Sequence, residues 1–166
     1  MLARGDAPTR VTSAFATIAA VLLVLVAPAC GSFQPEVGER LSACVDVDSN
    51  GAAKVDFKTQ LRPIINGMVP GPKPCANCHY SSRGSRDGLT ATQFNLETLA
   101  LLKKGGTRTA DTIVVPGQPC KSAIVQKLRG TFDGARMPKG GPYWSPEQIQ
   151  LMSDWIAEGA VGGDDD

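Results

Sequence analysis

One short stretch combines the residue types that could do chemistry: two cysteines and the chain's single histidine, in Cys75-Ala76-Asn77-Cys78-His79. The Cys-x-x-Cys-His spacing is the form that attaches c-type haem. Two thiols at this separation reach the two vinyl groups on one edge of a porphyrin, and the next residue reaches the iron from one face. Chance gives the pattern in roughly one in a thousand chains of this composition. The spacing therefore predicts one covalent haem held by Cys75 and Cys78, with His79 as the proximal iron ligand.

Two other kinds of site use the same residue types, and the sequence disfavours both. A structural zinc ion takes four ligands, so the motif would need a further one such as Cys44 or Cys120. A thioredoxin-like dithiol accompanies a βαβ pattern. The chain has one β-branched run, from Asp111 to Pro116, and no second run to pair with it in a sheet.

The opposite face of the iron must be filled by something other than histidine, because His79 is the only one. Three of the four methionines are poor candidates. Met1 lies in the N-terminal segment that is predicted to be removed, and Met68 lies only seven residues before the motif. Met152 lies on the apolar stripe of a predicted helix. Met137 lies in a loop, residues 133–142, whose glycines and prolines exclude regular helix. We expect Met137 to be the distal ligand. The alternative is that its thioether packs in the core and the sixth iron position stays open.

The N-terminus has the pattern of an export signal. Arginines precede an apolar run from Ala14 to Val26, and small residues follow up to Cys30. A helix needs about 20 apolar residues to span a bilayer. The run is shorter, so a retained membrane anchor is disfavoured. The stretch Val26–Cys30 resembles a bacterial lipoprotein lipobox. Residues 1–29 are therefore predicted to be cleaved and Cys30 to carry lipid, with cleavage without lipidation as the alternative.

The cysteine count predicts a disulfide. Of the five cysteines, one is assigned to lipid and two to haem, which leaves Cys44 and Cys120. An exported chain meets an oxidising compartment, where such a pair favours a disulfide. The expected location is the cell envelope, with a lipid anchor on Cys30 and the protein facing the periplasm.

The mature chain divides into three parts. Residues 30–54 are polar and show neither helical nor strand periodicity, which predicts a flexible tether. Residues 55–161 carry all the helix patterns and form the expected domain. Residues 162–166 end the chain in an acidic tail.

The helix signals within the domain are short. A first helix starts after Asp56 and should end or kink at Pro63. Two more are predicted over residues 96–104 and 121–129. The last one has the strongest start signal, because Ser145-Pro146-Glu147-Gln148 supplies an N-cap, a first-turn proline and a capping-box partner. The expected fold is all-α, with short helices and long loops.

Composition bounds the size and partners of this domain. The 166 residues suit one small domain, and a formal charge of +1 gives no general attraction to nucleic acid. With 18 glycines, 12 prolines and only 5% aromatic residues, the chain has little large apolar volume. Small domains commonly supplement such a core, so the fold is expected to wrap around a large apolar insert.

Residues 55–161 resemble a bacterial class I-like cytochrome c domain of the planctomycete type. The matching stretches, in the family's order, are Leu61-Arg-Pro-Ile-Ile65, Cys75-Ala-Asn-Cys-His79, Gly88-Leu89, Gly105-Gly106, Val115-Pro-Gly-Gln-Pro119, Ser122, Met137-Pro138 and Trp155-Ile-Ala-Glu-Gly-Ala160. The resemblance implies a cytochrome c-like fold with one haem c on Cys75 and Cys78. It also implies that His79 and Met137 are the two axial iron ligands.

The expected function is single-electron transfer without substrate chemistry. With both axial positions filled, dioxygen or peroxide has no site on the iron, so an electron carrier is expected rather than an enzyme. Its partners would be redox proteins of the cell envelope. If Met137 is not bound, a haem enzyme or a gas or peroxide sensor is the alternative, and a third possibility is haem used mainly as core.

Overall fold

The computed structural model describes residues 39–162. The predicted signal at 1–29, the lipidation site Cys30, the first part of the tether and nearly all of the acidic tail lie outside these residues. Within the described part, none of the helices has the length and apolar character needed to cross a membrane.

Residues 39–162 are helical and contain no strand, which confirms the prediction of an all-α fold. Six α-helices follow one another: α1 Arg62–Asn66, α2 Ala76–His79, α3 Asp87–Thr92, α4 Leu99–Lys104, α5 Ala123–Arg129 and α6 Pro146–Ala157. Short 3-10 turns at Asp46–Asp48, Ala110–Thr112 and Pro119–Lys121 lie between or before them.

The first predicted helix continues past Pro63 but changes type before it. Asp56 caps the start by accepting a 2.7 Å hydrogen bond from the amide of Thr59. The turn Phe57–Leu61 is π-helical, and the amide of Arg62 donates to the carbonyl of Phe57. Because Pro63 has no amide hydrogen, it fits the first turn of a new helix, and α1 begins one residue before it.

The other predicted helices form with shifted starts. Helix α4 begins three residues later than expected, because Thr98 caps it by accepting from the amide of Leu101 at 3.1 Å. Helix α5 begins at Ala123, after the 3-10 turn. Helix α6 has the predicted capping box, with both the Ser145 and Gln148 side chains in place. The helical segments at α2 and α3 were not predicted.

The buried core joins the two ends of the domain. The ring of Trp155 in α6 is fully buried and lies 4.9 Å from the ring of Phe57. The run from Asp111 to Pro116 forms no strand and instead places Ile113 and Val114 in the core. Other fully buried side chains come from α1, α4, α5 and α6: Ile65, Leu99, Leu102, Val125, Ile149, Met152 and Ile156.

Residues 39–54, which we call the strap, lie against the helices instead of forming the expected flexible tether. The amide of Leu41 donates to the carbonyl of Arg129, and Cys44 is bonded to Cys120 with 5.3 Å between Cα atoms. At its other end the strap joins α6, since the amide of Asn50 donates to Asp154. The prediction of a tether is corrected for these residues, because polar composition alone did not reveal contacts with residues so far along the chain.

Candidate functional site

Helix α2 is a single turn that carries the Cys-x-x-Cys-His motif. The amides of Cys78 and His79 both donate to the carbonyl of Cys75, at 3.1 and 3.0 Å. Residues three apart on a helix lie on one side, so Cys75 and Cys78 share a face. Both thiols are free. The structure thus keeps the two sulfurs available for bonds to another group.

The imidazole of His79 is held in one tautomer by a backbone carbonyl. Its Nδ1 atom lies 3.0 Å from the carbonyl oxygen of Phe94. A carbonyl oxygen only accepts, so Nδ1 carries the hydrogen and Nε2 carries the lone pair. Burial lowers the pKa of His79, and the contact with Phe94 opposes this only in part. A neutral ring with a free Nε2 lone pair is the state that ligates a metal.

The segment that supplies the Phe94 carbonyl is itself fixed on both sides. The amide of Leu96 donates to the carbonyl of His79 at 3.0 Å. On the other side, Gly106 approaches so closely that a Cβ atom there would lie 2.4 Å from the carbonyl oxygen of Thr92 and 2.9 Å from Cβ of Phe94. The absence of a side chain at Gly106 therefore lets the chain after α4 pack against the segment that orients His79.

Space at Nε2 depends on a glycine of α3. A Cβ atom on Gly88 would lie 2.6 Å from both Nε2 and Cε1 of His79. Thr92 holds this turn, because its hydroxyl donates to the carbonyl of Gly88 at 2.6 Å. Any side chain at position 88 would therefore collide with the imidazole on the side of Nε2.

The two cysteines have different surroundings. Burial raises the pKa of the Cys75 thiol to about 12, and the indole of Trp144 opposes the rise only in part. Cys78 lies near the polar loop 81–86, with its sulfur 3.8 Å from the hydroxyl oxygen of Ser85. The nucleophile of a redox dithiol is a thiolate, so the raised pKa makes Cys75 a poor nucleophile at neutral pH.

The indole Nε1 of Trp144 is a buried donor that makes no hydrogen bond of ordinary geometry, although it lies near enough to the Cys75 sulfur to oppose the rise in the pKa of that thiol. The Trp144 side chain is 2% exposed, and Nε1 is the only buried side-chain nitrogen or oxygen among residues 39–162 that lacks a hydrogen-bond partner. Buried polar atoms in native proteins are nearly always paired. An unpaired donor beside Cys75 fits a bound group that supplies an acceptor.

The loop 133–142, the methionine loop, lies against the segment before the motif. The amide of Lys73 donates to the carbonyl of Pro142 at 2.9 Å, and its Nζ atom donates to the carbonyl of Lys139 at 3.3 Å. The amide of Met137 donates to the carbonyl of Lys127 at 2.9 Å, which joins the loop to α5. Met137 is half-buried.

The other methionines of the described residues have environments that suit an iron ligand less well. The side chain of Met68 is 72% exposed. Met152 is fully buried among the core residues of α6. Of the three, Met137 is the one on a loop joined to the motif segment.

The donor set does not suit zinc. Among residues 39–162, three possible ligand atoms converge within 4.8 Å only at Cys44, Asp46 and Cys120. The two sulfurs of that group are bonded to each other in the disulfide expected from the cysteine count, so they cannot act as thiolates. Cys75, Cys78 and His79 form no such cluster, and a tetrahedral site on them is not supported.

Some site residues have no signature that sequence reasoning could use. The carbonyl of Phe94 belongs to the backbone and is invisible in a residue pattern. Gly88 matched the resembled family, but its contact with His79 did not follow from spacing. Arg136 stands out in the sequence only as a charge, whereas in the structure its guanidinium donates to the backbone carbonyls of Leu128 and Glu39.

Comparisons with protein-family models, with curated proteins and with solved structures found no match. The function must therefore be argued from the chemistry of these residues.

Proposed function

We propose that the chain is an exported monohaem c-type cytochrome that carries single electrons. The observation that carries the proposal is the state of His79. The Nδ1 atom donates its hydrogen to the carbonyl of Phe94, so the lone pair of Nε2 is available to iron. The same Cys-x-x-Cys-His motif carries two free thiols. The cytochrome c-like wrapping of the fold around haem is part of the proposal.

The residues present fit a covalent haem c. Cys75 and Cys78 would hold it through thioether bonds, His79 would be the proximal ligand and Met137 the distal one. When bound, this group supplies a one-electron ferric–ferrous couple. A side chain at position 88 would collide with the imidazole, and Gly88 avoids this; the buried indole donor of Trp144 would suit an acceptor on a bound group.

The chain's own residues determine how electrons are exchanged. The Phe94 carbonyl keeps His79 oriented, and hydrogen bonding of the second ring nitrogen strengthens histidine as a ligand. A methionine on the other face favours a high reduction potential and excludes small ligands. Transfer would then be outer-sphere, with no bond of a substrate made or broken.

The remaining parts of the proposal concern location and partners. Cleavage before Cys30 and its lipidation would anchor the protein in the cell envelope, facing the periplasm. Its partners would be redox proteins of the same compartment, and nucleic acid is not among them. These inferences rest on the N-terminal sequence pattern.

The attachment chemistry is tested by asking whether haem stays with the denatured chain. The protein is produced with its export signal in a host that attaches c-type haem, and haem is extracted with acidified acetone. We expect haem to stay on the wild-type polypeptide and to be lost when Cys75→Ser and Cys78→Ser are combined. The matched control combines Cys44→Ser with Cys120→Ser and should keep haem. Extractable haem in the wild type, or retained haem in the Cys75/Cys78 variant, would refute the proposal.

A further inference from the structure

The residue before the proposed distal ligand is a buried arginine that joins three parts of the chain. Arg136 is only 6% exposed. Its Nε atom donates to the carbonyl of Leu128 at 2.8 Å, and Nη1 donates to the carbonyl of Glu39 at 3.1 Å. The guanidinium also lies 4.3 Å from the ring centre of Tyr143. Helix α5, the strap and the residue that follows the methionine loop therefore all meet at this one side chain.

We infer that Arg136 is a positioning residue that sets Met137 in place for the iron by joining the methionine loop to α5 and to the strap. This inference rests on the proposed function. It gives the strap a part in the redox site, although no strap residue belongs to the motif or to the methionine loop.

The first support is the pattern at the end of α5. The last carbonyls of a helix have no partner within the helix. Here the Leu128 carbonyl accepts from Arg136 and the Lys127 carbonyl accepts from the amide of Met137 at 2.9 Å. Two consecutive loop residues thus bind two consecutive carbonyls, which fixes both the position and the direction of the chain at Met137.

The second support is the way this cation is buried. Burying a charged group is costly unless it is hydrogen-bonded. The guanidinium of Arg136, 6% exposed, donates to the backbone carbonyls of Leu128 and Glu39. A planar guanidinium that donates in two directions and stacks on a ring compensates through geometry, and a positioning role explains why such a group is kept there.

The third support is that the strap carbonyl bound by Arg136 is itself held in place. Glu39 lies two residues before Leu41, whose amide donates to the carbonyl of Arg129 at 2.9 Å. The disulfide from Cys44 to Cys120 fixes the same end of the strap. The acceptor on the strap is therefore anchored independently of Arg136.

Lysine cannot replace this arginine in the proposed role. An ammonium group keeps the charge, but it is a single point at the end of a flexible stem. It cannot donate to the carbonyls of Leu128 and Glu39 from a rigid planar fork. Arg136→Lys therefore keeps the positive charge but loses the planar arrangement of donors, and Arg136→Gln loses both.

The experiment uses haem-loaded protein and reads methionine ligation directly. The ferric absorption band that reports methionine bound to iron is measured together with carbon monoxide binding to the ferrous form. We expect wild-type protein to show the band, and both Arg136→Lys and Arg136→Gln to weaken it while covalent haem is kept. Carbon monoxide affinity should rise about tenfold, the size expected for one lost hydrogen bond to a charged group. Lys58→Gln, which removes an exposed positive charge outside the methionine loop and the strap, is the matched control and should change neither reading.

Contrary outcomes are distinct. If both Arg136 variants keep the wild-type band and carbon monoxide affinity, or if only Arg136→Gln loses them, positioning by the fork is refuted. A variant that melts at lower temperature with an unchanged methionine–iron band also refutes it, since a merely structural role would have that effect.

Should the Arg136 variants fail to fold, the Cys44→Ser/Cys120→Ser protein, in which Arg136 is intact, must still show a weakened band. Wild-type protein with covalent haem but no band would overturn both methionine ligation and this inference, whereas a chain without covalent haem would refute the proposed function itself.

Discussion

The Nδ1 atom of His79 lies 3.0 Å from the carbonyl oxygen of Phe94, fifteen residues further along the chain. Because the same segment returns a backbone bond from Leu96 to His79, the ring and its acceptor are held as one unit. This pairing fixes the tautomer before any group is bound at Nε2. In a motif with two free thiols, it is the arrangement that an iron ligand needs.

The first prediction concerns the space beside His79. Gly88→Ala places a Cβ atom 2.6 Å from Nε2 and Cε1 of the imidazole, so the ring or helix α3 must move. Such overpacking costs about 1–3 kcal/mol, and we expect a weaker histidine–iron bond and less covalent haem per chain. Gly51→Ala is the matched control, because a Cβ atom there meets only an ordinary 3.5 Å contact. Equal haem content and identical spectra in the two variants would show that Gly88 does not serve the site.

The second prediction concerns the distal ligand. Met137→Ala should keep haem on Cys75 and Cys78 but open the sixth iron position. The reduction potential should fall, the methionine–iron band should disappear, and carbon monoxide or imidazole should bind. Met68→Ala removes a side chain that is 72% exposed and should leave all three readings unchanged. If wild-type protein binds carbon monoxide as readily as the Met137 variant, the sensor or peroxidase alternative is favoured instead.

The third prediction concerns the haem-free form. Burial raises the pKa of the Cys75 thiol from 9.0 to about 12, so the folded state keeps this proton where the unfolded chain loses it. The free energy of unfolding should therefore fall as pH rises from about 9 towards 12. Urea unfolding on both sides of pH 9 measures this, with Cys75→Ala as the control that lacks the effect. Rapid alkylation of Cys75 at neutral pH would contradict a raised pKa and favour a redox dithiol.

The fourth prediction concerns the disulfide. Thiol titration of the denatured, unreduced haem-loaded protein should find no free thiol. Cys44 and Cys120 are 76 residues apart, so the chain-entropy estimate for losing their bond is about 4.5 kcal/mol. Denaturant unfolding of the Cys44→Ser/Cys120→Ser variant should show a loss up to that size. Two reactive thiols in the wild type would show that the pair is reduced in the protein.

Local signals predicted the parts of the fold that local chemistry decides. The start of α6 follows from Ser145, Pro146 and Gln148, which cap the helix whatever surrounds it. Pro63 was expected to end or kink the first helix, and α1 instead runs through it with the proline in its first turn. The Cys-x-x-Cys-His spacing predicts a haem site, because its chemistry specifies both residue types and spacing.

Most long-range contacts were beyond the sequence. The cysteine count predicted the bond from Cys44 to Cys120, but nothing in the strap predicted the hydrogen bond from Asn50 to Asp154, 104 positions away. The acceptor for His79 was missed because a backbone carbonyl leaves no trace in residue type. Arg136 was visible only as a charge, and its burial depends on the folded positions of Glu39 and Leu128.

The most direct test of the central claim is a redox titration of the purified, haem-loaded mature protein followed by its visible spectrum. The account predicts a single reversible one-electron transition, with methionine–iron absorption in the ferric form and no change in the ferrous spectrum when carbon monoxide is added. A chain that carries no covalent haem, or a ferrous form that binds carbon monoxide at once, would contradict a His79/Met137-ligated electron carrier.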